Sequence, residues 1–365
     1  MNKVKVLIIS YSSYEYDGRL RELVEISQFL GETYLVSKDR KKIFENHLIN
    51  YSKSNGYFEF LRFSYQAAKK IPGLSLIIAD NRKALIPGQI IKRLLTFKIM
   101  TICDSRELYI IKDVKHLVGK IGCIIERLLY KKYDLVVCAN RERARIMKKL
   151  YSLPEEPLVY ENIRELYYSS SLDMDSIKEK FDHFFSDNSI KVVSTAGYSL
   201  SRGGKKLIEE VGLLGGNFSL YILGGGKADE KKRYDALISD MNLSNVFDIG
   251  RLNSDELKYF IKNCDIGVVF YHNRDLNNRY CASGKVYEFL FEGLPIVCSS
   301  NAPLMSFCRK FQVGIAGESF SESLIQIVEK IDWYRENVQK ASSRIDIKQN
   351  RKKLANEISS RMPCN

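Results

Sequence analysis

The 365-residue sequence lacks several patterns that would assign it to a specialised class of protein. It has no apolar run near the roughly 18 residues that a membrane-spanning helix needs, so it is not expected to cross a bilayer. Its N-terminus, MNKVKVLIIS, has no small-residue cleavage site, which argues against a signal peptide and favours a cytoplasmic location. None of its eight cysteines forms a C-x-x-C pair, so neither a disulfide framework nor a zinc site is expected.

The composition is that of a globular protein, with 45 % hydrophobic and 28 % charged residues. The net charge of +13 is concentrated in residues 1–170, which carry 30 Lys and Arg against 19 Asp and Glu. Such a basic half indicates an acidic partner: a nucleic acid, an anionic lipid surface or a phosphorylated substrate. A nucleic acid is not expected, because the sequence has no helix-turn-helix, RRM or OB signature.

Short apolar strands alternate with helical segments in two halves of the chain, which predicts βαβ units, parallel sheets and an α/β fold. The pattern predicts a first Rossmann-like domain over residues 1–165, an interdomain connection over 166–189, a second Rossmann-like domain over 190–340 and a helical tail over 341–365. Two such domains imply a cleft lined by the carboxyl ends of both sets of strands. The C-terminal helices are expected to pack back toward the first domain.

The segment CASGKVYEFLFEGLPIVCSS, residues 281–300, combines a short predicted helix with groups suited to an anionic ligand. The helix begins near Ser283 and Gly284, where free N–H groups and Lys285 could meet a phosphate. Glu288, one turn later, could accept hydrogen bonds from hydroxyl groups beside that phosphate. A phosphate next to a pair of hydroxyls describes a nucleotide. The alternative is a solvated lysine–glutamate pair on a surface helix.

The order of the motifs resembles that of retaining glycosyltransferases built from two Rossmann-like domains, the GT-B architecture, and in particular family 4-like enzymes of bacterial surface polysaccharides. Residues 281–300 resemble a motif in which a glutamate precedes Gly-x-Pro by five residues. This resemblance implies that Glu288 binds the ribose hydroxyls of a nucleotide-sugar. The stretch TAGYSLSRGGKKLIEEV resembles the first loop of the donor domain, where Arg202 before Gly203 would bind the diphosphate.

Two stretches of the first half resemble the acceptor side of the same family. YDGRLRELVEISQFLG resembles the opening of the acceptor domain, and CDSRELY resembles a D-x-H-E motif at the end of a strand. The implied acceptor-side residues are Asp17, Gly18, Arg19, Arg106 and Glu107. The residues themselves leave two alternatives open: Asp17 could cap a helix, and Glu107, like its neighbour Asp104, could orient a loop.

The sequence departs from the family pattern at three positions. Tyr280 stands where many members have a second glutamate, Tyr198 where many have arginine or glycine, and Arg106 where the D-x-H-E motif has histidine. Tyr280 replaces a glutamate that normally helps to bind the donor sugar, so it affects which sugar the resemblance implies. Arg106 replaces a histidine near the sugar, so it affects the chemistry implied for the acceptor half. The run Gly224–Gly226 is not a G-x-G-x-x-G fingerprint and is interpreted as a tight turn near a ligand.

The resemblance implies transfer of a sugar from a UDP- or GDP-linked donor to a glycan or lipid-linked glycan for the cell surface, with the anomeric configuration retained. No cofactor and no metal are expected, because cationic side chains would stabilise the leaving diphosphate and the chain is expected to have no D-x-D carboxylate pair that holds a metal. The implied catalytic residues are Arg202, Lys285 and Glu288. The implied donor-binding residues are Gly197, Tyr198, Arg202, Gly203, Gly250, Arg251, Leu252, His272, Ser283, Gly284, Lys285 and Glu288.

Two further points stay open at the level of sequence. A non-catalytic scaffold subunit that kept the fold is the alternative to an enzyme. The basic amphipathic stretch over residues 90–98 fits either contact with an anionic membrane, at its inner face, or an ordinary helix packed on a sheet. Of the remaining histidines, His47, His116 and His183 are expected to be solvated.

Overall fold

A computed structural model describes residues 4–51, 56–95, 98–169 and 172–363. The chain forms two compact units, one comprising Met1–Asn162 with Asp346–Asn365 and the other Ile163–Ile345. The predicted interdomain connection therefore belongs to the second unit. Its residues bond to that unit: Lys258 donates to the Leu166 carbonyl at 2.8 Å, and Lys180 forms an ion pair with Glu256 at 2.6 Å.

Each unit contains one parallel sheet, as the sequence predicts. The first sheet has the order β3-β2-β1-β4-β5-β6-β7 and the second the order β10-β9-β8-β11-β12-β13. The strands are β1 (Lys5–Ser10), β2 (Glu32–Ser37), β3 (His47–Ile49), β4 (Leu74–Asp80), β5 (Met100–Ser105), β6 (Leu135–Cys138), β7 (Leu158–Val159), β8 (Ile190–Ser194), β9 (Phe218–Leu223), β10 (Val246–Gly250), β11 (Ile266–Val269), β12 (Ile296–Ser299) and β13 (Gly314–Gly317).

Helices connect these strands and cover the sheets. They are α1 (Gly18–Leu30), α2 (Tyr57–Lys69), α3 (Leu85–Leu94), α4 (Leu117–Leu129), α5 (Arg141–Leu150), α6 (Met174–Phe181), α7 (Gly204–Gly212), α8 (Ala228–Asp240), α9 (Ser254–Lys262), α10 (Leu276–Arg279), α11 (Lys285–Phe291), α12 (Ala302–Phe311), α13 (Phe320–Val328), α14 (Ile331–Ser343) and α15 (Ile347–Ser359). Among the described residues, no helix is long and apolar enough to span a membrane.

The central strands are buried on both faces, which is why they read as continuous apolar runs in the sequence. In β1, residues 6–9 are fully buried, and each of the β9 residues is buried. Three short strands, β3, β7 and β13, were not predicted. Their sequences, HLI, LV and GIAG, are too short or too rich in glycine to give a local strand signal.

In each sheet the order of the strands reverses at one place, and this switch point is where a ligand is expected to bind. β1 lies between β2 and β4, and β8 lies between β9 and β11, so neighbouring loops leave the sheet in opposite directions there. In open α/β sheets, ligands bind beyond the carboxyl ends of the strands at such a switch point. Some of the predicted site residues follow strands at these points: Asp17 follows β1, Gly197 follows β8 and His272 follows β11.

The C-terminal helix α15 returns to the first unit, as predicted. Leu354 and Ile358 enter the hydrophobic core that also contains Leu20 and Leu23 of α1. Arg351 of α15 forms an ion pair with Glu22, with 2.6 Å between Nη2 and Oε1. Helix α14 instead belongs to the second unit.

Helix α3 covers most of the basic amphipathic stretch, and it packs as an ordinary helix of the first unit. Ile91 is fully buried, and Lys92 pairs with Asp134 at 2.6 Å. Residues 96 and 97 lie outside the described part of the chain. The seven cysteines within the described residues are buried, and none of them is in a disulfide.

Candidate functional site

Three glycine turns follow the strands β8, β9 and β10 and bond to one another. The Gly197 N–H donates to the Leu223 carbonyl at 2.9 Å, and the Gly224 N–H donates to the Gly250 carbonyl at 2.7 Å. All three glycines have φ between +63° and +106°, a region that disfavours residues with a Cβ. A Cβ on Gly197 would lie 2.3 Å from the Gly225 carbonyl oxygen. The sequence TAG and the run GGG therefore form interlocking turns at one edge of the sheet.

Lys285, the first residue of α11, points back toward these turns. Its Nζ donates to the Thr195 carbonyl at 2.5 Å, just after β8 ends. Burial lowers the pKa of Lys285 to about 8; the nearby Glu288 opposes this shift, whereas Arg164 and Arg202 add to it. The alternative prediction, a solvated lysine on a surface helix, is therefore wrong, because the Lys285 ammonium group is desolvated and lies near other charged groups.

Glu288 is also buried, with 6 % of its surface exposed. Its Oε1 lies 2.5 Å from Nε of Arg164, a half-exposed residue that follows β7. Val286, Tyr287, Phe289 and Leu290 of the same helix are buried too, so α11 is a core element rather than a surface helix. This burial explains why α11 can hold two charged groups in fixed positions.

Arg164 is the residue of this site that sequence reasoning missed. It lies in the polar stretch ENIREL, and nothing in its local pattern distinguishes it from a solvated arginine. Only the tertiary structure places Arg164 next to α11. There it forms an ion pair with Glu288, and its positive charge contributes to the lowered pKa of Lys285.

Arg202 is exposed at the end of a short 3-10 turn, and Gly203 follows it with φ +132°. It lines a cavity of about 450 Å³ at the carboxyl ends of β8, β11, β12 and β13. Tyr271 and His272 line the same cavity, together with Lys205, Lys206 and Arg274. The cavity is thus rich in cations, with Glu209 and Glu318 as its acidic members.

His272 lies in this cavity, where the sequence places a site residue. Its Nδ1 accepts a hydrogen bond from the Arg274 N–H at 3.3 Å, and its Nε2 lies 3.5 Å from Asp275. Burial lowers the pKa of His272, although Asp275 opposes this shift. The imidazole is therefore held by its own loop and is disposed to stay neutral at neutral pH.

The other predicted donor-side residues differ in their burial and in their contacts. The Tyr198 side chain is buried, and its hydroxyl donates to Asp248 at 2.9 Å, so the ring is part of the second unit's core. The Arg251 side chain lies against Gly225. Ser283 is buried, and the Gly284 carbonyl accepts the first two N–H bonds of α11. Leu252 is half-buried after Gly250.

In the first unit, three of the predicted acceptor-side residues join one cluster of charges at the switch point between β1 and β4. Asp17 caps α1 by accepting the Leu20 N–H at 3.1 Å, and it also accepts a hydrogen bond from Arg106. The helix-cap alternative for Asp17 is therefore confirmed. Burial raises the pKa of Asp17, but the charge and hydrogen bond of Arg106 outweigh burial and leave the pKa below its ordinary value.

Two carboxylates at the strand ends complete this cluster. Nη2 of Arg106 lies 2.6 Å from Asp80, and Arg19 binds both oxygens of Asp104 at 2.5 and 3.0 Å. Burial raises the pKa of Asp80 to about 6, with Asp104 adding to the shift and Arg106 opposing it. Arg106, which replaces a histidine of the motif, is thus held by carboxylates on several sides.

The remaining acceptor-side residues lie around this cluster. Gly18 is the first residue of α1. Glu107 is exposed, and its carbonyl accepts the Ser105 hydroxyl at 3.2 Å. The Arg19 guanidinium is buried and also donates to the Tyr160 carbonyl at 2.9 Å, so it braces the cluster instead of facing solvent.

The expectation for His47 is wrong. The side chain is fully buried, with Nε2 2.5 Å from the Ser37 hydroxyl and 3.2 Å from Asp39. Asp39 in turn accepts hydrogen bonds from Ser13 and from the Tyr14 N–H, so this group anchors the loop between β1 and α1. His116 and His183 are exposed, as expected.

A D-x-D sequence does occur in the chain, at Asp173–Asp175, and it is a helix start. Asp173 accepts the Ser176 N–H at 3.2 Å and caps α6, and both aspartates are exposed. Across the described ranges, no group of three or more His, Cys, Asp or Glu side chains is arranged to hold a metal ion.

Comparison with solved structures gives close agreement in fold over nearly the whole chain. The Anabaena protein Alr3699/HepE, solved with UDP and glucose, superimposes with a TM-score of 0.74 at 17 % identity, covering 98 % of this chain and all of that one. Sucrose-phosphate synthase from Thermosynechococcus elongatus gives 0.70 at 13 % identity, covering 98 % and 99 %. This chain has the GT-B fold.

The GT-B fold alone leaves the activity undecided, because these identities are low. UDP-GlcNAc 2-epimerase from Neisseria meningitidis, solved with UDP-GlcNAc, also matches, with a TM-score of 0.58 at 12 % identity over 98 % and 99 % of the two chains. By sequence, no protein-family model and no curated protein matches the chain. Function must therefore be argued from the side chains at the strand ends.

Proposed function

We propose that this GT-B protein is a glycosyltransferase that takes a sugar from a UDP- or GDP-linked donor. The observation that carries the proposal is the ion pair of Glu288 with Arg164 on the helix that also holds Lys285, beside the glycine turns after β8, with the charge of Arg202 contributing to the lowered pKa of Lys285. This set offers a carboxylate for vicinal hydroxyls and positive charge for a diphosphate. The solved relatives that bind UDP or UDP-glucose support the same ligand class.

The chemistry that this set could perform is stabilisation of a leaving group. When the bond between the anomeric carbon and the diphosphate oxygen breaks, negative charge grows on the diphosphate. Arg202 offers a two-pronged hydrogen-bond donor and Lys285 a point charge, and both would interact most strongly as that charge develops. The acceptor hydroxyl would attack from the same face and pass its proton to the departing phosphate, which retains the anomeric configuration.

In this proposal the acceptor is a glycan or lipid-linked glycan of the cell surface, and the protein acts in the cytoplasm at the inner face of the membrane. The basic first half supports an acidic acceptor such as a lipid-linked diphosphate. The charge cluster of Asp17, Asp80 and Arg106 lies at the switch point of that unit, where an acceptor would bind.

The test is titration calorimetry of the full chain with UDP-glucose, GDP-mannose and UMP, followed by a turnover assay with the donor that binds. Binding and release of the nucleoside diphosphate with the sugar transferred would support the proposal. Binding without turnover would point to the scaffold alternative, and conversion of the bound sugar into its 2-epimer would point to an epimerase.

The same assay tests metal independence. Transfer should persist in EDTA, since cationic side chains are proposed to meet the diphosphate charge. Loss of activity that manganese or magnesium restores would contradict this part of the proposal.

A further inference from the structure

Helix α4 differs from an ordinary surface helix, because its buried residues are small or charged and most of its large aliphatic residues are exposed. The buried residues are Gly122, Cys123 and Glu126. Glu126 pairs with Arg82 at 2.8 Å, and a Cβ on Gly122 would lie 2.7 Å from the Arg82 side chain. The helix therefore attaches through an ion pair, a close contact at Gly122 and the half-buried Ile125 and Leu129, while none of its large apolar residues is fully buried.

Five of the large aliphatic residues of α4 lie on its solvent side, and four of these follow a helical repeat. They are spaced by four, three and four residues, so they form one stripe along the helix. Scattered exposed apolar residues are ordinary, but a contiguous apolar stripe marks a binding surface. The stripe consists of Leu117, Ile121, Ile124 and Leu128, which are 73 %, 47 %, 46 % and 54 % exposed, with Val118 beside it at 82 %.

Basic residues surround this stripe. Lys120 and Arg127 project from the side of α4 next to it, and further lysines precede and follow the helix. All of these cations are exposed: Lys112, Lys115, Lys120, Arg127, Lys131 and Lys132. The acids of the same stretch are Asp113 and the buried Glu126. Two copies of this surface would repel each other, whereas an anionic lipid surface is complementary to both its charge and its apolar stripe.

We propose that α4 is a membrane-docking helix that lies in the plane of an anionic bilayer, with the aliphatic stripe among the acyl chains and the cations at the headgroups. Such a surface would give the transferase proposed above access to a lipid-linked acceptor, and in that respect it deepens that proposal. It differs from the stretch over residues 90–98, because Ile91 of α3 is buried in the first unit.

The test is cosedimentation of the full chain with vesicles of phosphatidylcholine alone or with one third phosphatidylglycerol. The stripe variant is Ile121→Gln/Ile124→Gln/Leu128→Gln, which keeps good helix formers at exposed positions. The matched control is Leu213→Gln/Ile325→Gln in the second unit, where both side chains are also exposed. Circular-dichroism melting of each protein shows whether it is folded.

We expect the wild type and the control to bind the anionic vesicles and the stripe variant to bind them at least about tenfold more weakly. A Lys120→Gln/Arg127→Gln variant should also bind about tenfold or more weakly, since each basic residue near an anionic surface adds about fivefold. Binding to the anionic vesicles should fall as salt is raised, toward the weaker binding to pure phosphatidylcholine, which should depend little on salt.

Three results would overturn the proposal: no binding of the wild type to anionic vesicles, equal binding of the folded stripe variant, or a wild-type dimer that the stripe variant converts to a monomer. UDP-glucose titration of the same proteins separates this proposal from the proposed activity. Loss of vesicle binding in the stripe variant, in a protein that binds no nucleotide-sugar, would sustain the docking helix and reject the transferase.

Discussion

Glu288 Oε1 lies 2.5 Å from Nε of Arg164, although Arg164 stands near the start of the second unit and Glu288 lies far along its sequence. The pair neutralises a buried carboxylate on the helix that also holds Lys285. A buried charge without a partner is costly, so the contact with Arg164 explains how α11 can hold a glutamate at this buried position. The same contact makes Arg164 part of the site's electrostatics.

Glu288→Gln should weaken binding of UDP-glucose by about ten- to a hundredfold, because a hydrogen bond to a charged group contributes about 1.5–3 kcal/mol. Titration calorimetry measures the change. Glu292→Gln is a matched control, since Glu292 caps the C-terminus of the same helix, its side chain is 4 % exposed, and it pairs with Lys258 at 2.5 Å. Equal affinity for the wild type and a folded Glu288→Gln protein would reject the ribose assignment.

Donor affinity should depend on pH through Lys285, whose pKa is about 8 in the free protein. A bound diphosphate raises the pKa of a nearby ammonium, so the complex takes up a proton above pH 8. Affinity for UDP-glucose should then be constant below about pH 7 and fall as pH rises through 8. Calorimetry across this range measures it. A flat wild-type profile, or a Lys285→Gln profile with the same slope, would contradict the assignment.

Arg164→Gln should move this pH break upward. The positive charge of Arg164 contributes to the lowered pKa of Lys285, so removing it leaves the ammonium easier to protonate. The same calorimetric series detects the shift. Arg335→Gln is the control, because Arg335 is similarly exposed and pairs with Asp265 at 2.7 Å. If both variants titrate like the wild type, Arg164 has no influence on the site.

Arg202→Ala should lower kcat more than it raises KM, because the diphosphate gains charge as the glycosidic bond breaks. Losing one such donor typically costs about 2.7–4 kcal/mol of barrier, a hundredfold or more in rate. Arg202→Lys should recover only part of the rate, since it keeps the charge but loses the fork. Steady-state kinetics, with the exposed Arg233→Ala as control, provide the measurement. Wild-type turnover in Arg202→Ala would place the diphosphate elsewhere.

The sequence by itself determined the α/β class, the two parallel sheets and most of their strands. Strands such as LSLIIAD and FSLYIL are buried on both faces, so their apolar runs are a local property of the chain. It also determined the glycine turns, because a backbone with positive φ restricts the residue that can occupy it. Asp17 likewise carries a local signal, that of a helix cap.

Only the tertiary structure decided what the charged residues do. Lys285 and Glu288 have the spacing of a solvated surface pair, yet the fold buries Glu288 beside Arg164 and binds the Lys285 ammonium to the Thr195 carbonyl. His47 has a polar neighbourhood in sequence but no exposed surface. The reason is that burial and ion pairing depend on segments far apart in the chain, whereas periodicity and turn chemistry reflect neighbours. The residues that surround a cation, and therefore its pKa, depend on which loops the fold brings together at the carboxyl ends of the strands.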